Sequence, residues 1–231
     1  MSFAGDFCPR GLCDGSGWIL DEHDDLARPC ECREIRISRA SSRRIGSGIP
    51  RRFRGVSLDA NPLHDLPPEI LRQIRHFMAS IEDNLDRGRG FWFYGTVGTG
   101  KTSLAMVISR AAIEAGRSVA IYSMPTLLAD IRATYEEGSG RSYIDLFRRL
   151  SQVDLLHIDD VGAEKSSEWV LEQLYAIVNE RWQQQRSMLV TTNLTDRDEL
   201  REQLGDRTVS RLTEMCATIP IMGPDQRLAY R

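Results

Sequence analysis

Lysine is nearly missing from this chain. Of thirty basic residues only Lys101 and Lys165 are lysines, and the other twenty-eight are arginines. Long apolar runs are missing as well, none approaching the roughly 18 residues that a membrane span needs. No basic-then-apolar leader opens the sequence, so a cytoplasmic chain with no membrane contact is expected. No fixed-period repeat is visible, which argues against a solenoid. Cysteine is sparse at five residues; in a reducing compartment these read as metal ligands or buried thiols rather than disulfides. What remains, 41% hydrophobic and 27% charged residues over 231 positions, is the composition of a globular chain. That length has room for one domain with a small appendage.

The net charge of −3 hides a block structure. Residues 1–32 hold seven acids against two arginines, residues 33–54 hold eight arginines against Glu34 alone, and residues 55–231 return to an acidic balance. The basic block reads either as a solvated linker or as a contact for nucleic acid or an acidic partner. Three regions follow: a Cys- and Gly-bearing module over 1–32, an Arg-, Ser- and Gly-rich linker over 33–50, and an α/β domain over 51–231.

In that last region strand and helix patterns alternate. An apolar stripe from Ile70 to Leu85, opened by Pro67-Pro68 and closed by Gly88, predicts one helix. Short apolar runs at 91–95, 117–123, 153–158, 187–192 and 217–221 predict five strands, with helices over 101–115, from Pro125, and over 141–150, 166–185, 195–204 and 206–215. The expected architecture is a three-layer αβα sandwich around a five-stranded, mainly parallel sheet.

Between the first of these strands and its helix lies Gly95-Thr96-Val97-Gly98-Thr99-Gly100-Lys101-Thr102, a match to G-x-x-x-x-G-K-[ST]. Its glycines let backbone N–H groups curl inward around phosphate oxygens, and the following helix N-terminus adds a favourable dipole. Lys101 supplies a slim point charge to the β- and γ-phosphates, which a planar guanidinium supplies less well. The Thr102 hydroxyl suits Mg²⁺. VDLLHI then runs into Asp159-Asp160, where Asp159 fits the magnesium-holding carboxylate and Asp160 the one that orients or deprotonates the attacking water. His157 reads as core. Asn193, at the end of SMLVTT, fits either a side chain beside the γ-phosphate or a helix cap, a task that Thr195 and Asp196 can equally perform.

Taken together, GTVGTGKT (95–102), LLHIDDVG (155–162), NERW (179–182), TTNL (191–194), DRTVSRL (206–212) and GPDQR (223–227) resemble the AAA+ ATPases, and within them the DnaC/DnaI/IstB-like group. The resemblance spans about residues 50–231 and implies the AAA+ P-loop NTPase fold. It implies a Mg-dependent ATPase, with Gly95 to Ser103 around the nucleotide and an adenine pocket built partly from IPRRFRGVSLDA (49–60). It also implies Asn193 as sensor 1, Arg211 as an arginine finger reaching a neighbouring subunit's γ-phosphate, and Arg227 acting in cis. Arg207, one helical turn earlier, is the alternative finger. A finger in trans implies an ATP-dependent homo-oligomer. Where many AAA+ members carry Glu, this chain has Asp160, one methylene shorter, which implies slow hydrolysis.

Cys8, Cys13, Cys30 and Cys32 fall in the first thirty-two residues, spaced C-x₄-C and C-x-C, and Cys216 stands far away. Two pairs sixteen residues apart resemble a zinc ribbon, with reduced free thiols or another metal as alternatives and His23 as a possible substitute ligand. Cys216 reads as core. A short Cys module ahead of the ATPase domain is similar to that of DnaI-like loaders. By resemblance, the expected function is ATP-dependent loading of the hexameric replicative helicase, with single-stranded DNA as a further partner. An IstB-like ATPase assisting transposition is the alternative from the same fold. An adaptor that binds ATP structurally is a reading from another class. A small-molecule kinase shares the loop but fits the tandem Asp, TTN and late arginines poorly.

Overall fold

A computed structural model describes residues 8, 11–20, 27–30, 32–33, 48–61, 63–136, 140, 142–162 and 167–226. Most of the basic linker, His23, Lys165 and Arg227 lie outside the described residues.

Two short strands come first, β1 (Trp18–Leu20) and β2 (Ala27–Pro29), paired antiparallel with Trp18 opposite Pro29 and Leu20 opposite Ala27. Nothing in the periodicity marks them, because β2 is exposed along its whole length and packs no apolar face. The pairing instead carries Cys13, ahead of β1, toward Cys30 and Cys32, behind β2.

The five remaining strands are β3 (Gly90–Tyr94), β4 (Val119–Ser123), β5 (Leu155–Asp159), β6 (Ser187–Thr192) and β7 (Cys216–Pro220). They form one wholly parallel sheet in the order β4-β5-β6-β3-β7. Among the described residues a short 3-10 turn (Arg51–Phe53) precedes eight α-helices: α1 (Pro68–Ala79), α2 (Ile81–Asp86), α3 (Lys101–Glu114), α4 (Met124–Ala133), α5 (Tyr143–Gln152), α6 (Glu168–Gln183), α7 (Arg197–Leu204) and α8 (Asp206–Met215). The predicted single helix over 68–85 is two, broken at Ser80. The apolar stripe continues across the break through Ile81 and Leu85, and at the break the Phe77 carbonyl accepts from both the Ser80 N–H and the buried Asn84 side chain.

Both faces of the sheet are covered along β3 to β6, which is why those strands read as continuous apolar runs rather than alternating ones, while the edge strand β7 is exposed at three of its five residues. Phe91, Phe93, Leu155 and Leu189 pack with Ile74, Leu104 and Ile108 on one side. Trp92, Leu156, Ile158 and Val190 pack with Leu127, Val178 and Leu212 on the other. The result is the three-layer sandwich that the alternating pattern predicts.

One charge is sealed inside it. Arg181, in the last turn of α6, is 0% exposed. Its guanidinium donates to the carbonyls of Leu150 at 2.6 Å, Val153 at 2.9 Å and Ser187 at 2.7 Å, tying the entrances of β5 and β6 to α6. Burial, joined by the charge of Arg186, pushes its pKa down. The arginine of NERW is therefore a structural clamp.

Candidate nucleotide site

The loop 95–102 leaves the C-terminal end of β3, at the point where β3 lies between β6 and β7 and the connection to β4 crosses over β6 and β5. Such a switch point opens a crevice above the strand ends. Gly98 and Gly100 take φ of 79° and 97°, the left-handed region that a side chain resists. A Cβ at Gly98 would also collide with the Asp225 carboxylate. The segment after β7 straps the loop: Ile221 N–H donates to the Tyr94 carbonyl at 2.8 Å, Thr96 Oγ1 to the Gly223 carbonyl at 3.1 Å, and Gln226 N–H to the Gly98 carbonyl at 3.1 Å.

Lys101 opens α3 and is 6% exposed. Its ammonium donates to the carbonyls of Gly95 at 2.9 Å and Thr96 at 2.6 Å, folding back over the loop that it terminates. Across the crevice β5 ends at Asp159, half-buried. Burial pushes the Asp159 pKa up, but contacts from His157, Thr191 and Thr102 outweigh it, and the carboxyl sits below its ordinary value. The group is therefore ionised at neutral pH. His157 is core as read from the sequence, yet it also supports the site, with Nδ1 3.1 Å from Ser109 Oγ and Nε2 3.8 Å from Asp159 Oδ1.

Asp160 has φ of 60°, one of two non-glycine residues in that region among those described. Left-handed backbone costs an L-residue about 1–2 kcal/mol, and three bonds hold it here. Asp160 N–H donates to Thr191 Oγ1 at 2.8 Å, Val161 N–H to the Thr191 carbonyl at 2.8 Å, and Thr192 Oγ1 to the Val161 carbonyl at 2.6 Å. Since a backbone N–H can only donate, the Thr191 hydroxyl must accept there, and its one proton goes to Asp159 Oδ1 at 2.7 Å. The turn aims the Asp160 carboxylate at Asn193, whose Nδ2 donates to Asp160 Oδ1. Asp196 is the residue that caps α7, accepting from the Asp198 and Glu199 N–H groups, so Asn193 is not used as a cap.

These groups border a cleft of about 620 Å³. Arg52, Phe53, Val56 and Asn61 line one end; Val97 to Ser103, the two aspartates, Thr191, Asn193 and Gln226 line the other. The arrangement suits a nucleoside triphosphate with Mg²⁺. A strained glycine loop and a helix N-terminus supply N–H donors, Lys101 a buried cation, and Thr102 and Asp159 the hard oxygen donors that magnesium prefers. Asn61, Thr191 and Gln226 are lining residues that sequence reasoning missed. Gln226 lay in a quoted motif without a role, and its Oε1 is buried without a partner among the described residues. Thr191 sat inside TTNL beside the residue singled out.

Arg211 is elsewhere. It lies on α8 with its guanidinium 3.4 Å from the centre of the Trp182 ring and Nη1 3.7 Å from Glu214 Oε2. Trp182 is in the last turn of α6, beside the N-terminal edge of the sheet, while the phosphate loop leaves the C-terminal edge. A five-residue strand, about 16 Å long, separates the two edges. Arg207 is exposed one turn earlier.

In the N-terminal module the sulfurs of Cys8, Cys13, Cys30 and Cys32 all lie within 4.8 Å of one another, with Cys8–Cys30 at 3.8 Å and Cys13–Cys32 at 3.4 Å. Tetrahedral zinc with Zn–S of about 2.3 Å requires sulfurs about 3.8 Å apart, so the cluster fits that ion. Burial and the neighbouring thiols push Cys32 up to about 12. Cys216 is buried core, as expected.

The sequence profile of the IstB-like ATP binding protein family matches residues 64–231. The chain belongs to this family. Among curated proteins, the replicative helicase loader DnaC of Buchnera aphidicola subsp. Schizaphis graminum (strain Sg) is 29% identical over 167 residues, 72% of this chain and 66% of that protein. The replicative helicase loader DnaC of Escherichia coli (strain K12) is 30% identical over 142 residues, 62% of this chain and 56% of that protein. The chain thus spans less than two thirds of these relatives. A crystal structure of the DnaC helicase loader superposes with a TM-score of 0.64 at 26% identity, covering 74% of this chain and 99% of that one. DnaI, at 0.61 and 24%, shares the fold over 74% of this chain and 94% of its own. The fold is that of an AAA+ P-loop NTPase. Among the described residues no helix is long and apolar enough to cross a membrane.

Proposed function

We propose that this protein is an ATP-dependent loader of a hexameric replicative helicase that also holds single-stranded DNA. The observation that carries the reading is the match over 72% of the chain to proteins named replicative helicase loader, coupled with a cleft chemically suited to MgATP. In this reading residues 51–231 are the ATPase domain, 1–32 a zinc module that grips the helicase through Cys8, Cys13, Cys30 and Cys32, and 33–50 a basic linker.

Gly95 to Ser103 surround the phosphates, Lys101 neutralises them, and Thr102 and Asp159 hold magnesium. When bound, magnesium offsets the charge of the triphosphate oxygens. Asp160 receives the proton of the attacking water while Asn193 fixes the orientation of that carboxylate. Arg211 serves a neighbouring copy, since its place beside the far edge of the sheet suits a site outside its own subunit. Arg227, next in sequence after Gln226, acts in cis.

Two features support a nucleic-acid partner. The basic block over 33–54 is one. The other is a row of aromatic rings, Tyr135, Tyr143 and Phe147, at successive centroid distances of 5.9 Å, near Arg132 over the Trp169 ring at 4.7 Å. Stacked rings beside arginines suit unpaired bases.

The test is co-purification with hexameric replicative helicase, with and without ATP, alongside anisotropy titrations of single- and double-stranded DNA. Nucleotide-dependent capture of helicase and a preference for single strands are expected. Preference for duplex with no helicase capture would favour the alternative reading, an IstB-like ATPase assisting transposition.

A further inference from the structure

We propose that Trp182 is a positioning residue that presents Arg211 to the nucleotide of a second copy of this chain; this rests on Arg211 being the group that acts between copies. A guanidinium has two kinds of surface. Its flat face binds aromatic rings, and its rim carries five in-plane N–H donors. At 3.4 Å from the ring centre, Arg211 spends its face on Trp182. Its rim stays available for the paired oxygens of a phosphate. Glu214 touches that rim only loosely, at 3.7 Å and from a side chain 59% exposed. The Arg211 side chain itself is 31% exposed, held rather than sealed.

Arg181 and Trp182 thus divide two tasks along one helical turn. Arg181 faces inward and locks the end of α6 to the entrances of β5 and β6. Trp182, half-buried, turns its ring toward α8 from that locked base. The indole therefore stands on a rigid support. A long, flexible arginine that must reach across a gap loses the freedom of several rotatable bonds when it docks. Stacking settles that loss before the second copy arrives. A ring also imposes a plane, which an aliphatic neighbour of equal volume cannot do.

Four variants separate this role from simple packing. With ATP turnover measured at increasing protein concentration, Trp182→Leu should lower kcat about tenfold or more and leave the KM for ATP unchanged. Trp182→Phe, which keeps a flat ring, should stay within about threefold of wild type. Mixing Trp182→Leu with Lys101→Ala protein should restore turnover, since the first supplies a sound nucleotide site and the second a correctly presented Arg211. As a readout independent of turnover, the indole emission missing from Trp182→Phe should change when ATP drives assembly of the wild type. It should not change in Arg211→Ala. Melting curves check that each variant is folded. If Arg211→Ala turns over ATP like the wild type, the reading of Arg211 falls, and this proposal with it. If Arg211→Ala is impaired but Trp182→Leu is not, or if Phe fares no better than Leu, the proposal alone is overturned.

Discussion

Replacing Arg181 by methionine tests how much the fold depends on one buried cation. Methionine matches the arginine stem in length and apolarity, so little cavity is created and the change is mainly the loss of donors. Three carbonyls, those of Leu150, Val153 and Ser187, lose a bond of 2.9 Å or shorter. Each buried group left wanting costs about 1–3 kcal/mol. Carbonyls have a second lone pair, and removing the guanidinium also removes its desolvation cost, so the lower end applies and the sum is about 3 kcal/mol. For a chain of this size that corresponds to a melting shift of about 6–12 °C. Urea unfolding with linear extrapolation is the assay, run beside Arg181→Lys, whose single ammonium cannot span the same carbonyls and should recover only part of the loss. A methionine variant within about 0.5 kcal/mol of wild type would refute the clamp.

Thr191→Val keeps the shape of the site and removes the hydroxyl shared by the two aspartates. It should abolish the tightening of ATP binding that Mg²⁺ causes, by about tenfold in Kd, while Thr191→Ser retains it; titrations with and without Mg²⁺ decide. Gly98→Ala meets both a φ of 79° and the Asp225 carboxylate. ATP should bind about tenfold more weakly and residues 221–226 should lose protection in amide exchange. Purified protein should carry about one zinc, by elemental analysis. The metal-free Cys32 thiol, with its pKa raised to about 12, keeps its proton at neutral pH, so protons compete with metal and zinc affinity should fall as pH drops from 8 to 6, measured with a chelating dye.

The phosphate loop was legible because its chemistry leaves few alternatives: glycines where backbone must turn, and one of only two lysines in a chain rich in arginine. The sheet was legible because strands buried on both faces must be apolar throughout. Thr191 was not, since a threonine in a buried strand looks like any β-branched residue until its hydroxyl is seen between the Asp159 carboxylate and the Asp160 backbone N–H. Arg181 was hidden for a similar reason. In a helix of mixed character an arginine reads as solvated face, and only the approach of five carbonyls from outside its helix shows it to be inside. The break at Ser80 escaped because the apolar stripe runs through it, and β1 and β2 escaped because sulfur atoms, not an apolar face, define their module.

The central claim is that the loop after β3 grips a nucleoside triphosphate with magnesium through Lys101. Titration of the full chain with ATP and Mg²⁺ in a calorimeter tests it most directly, beside Lys101→Ala shown to be folded by its melting curve. One ATP bound per chain, with affinity at least about tenfold weaker in the variant, is the predicted result. Equal affinity in the two proteins, or no binding to either, would contradict it.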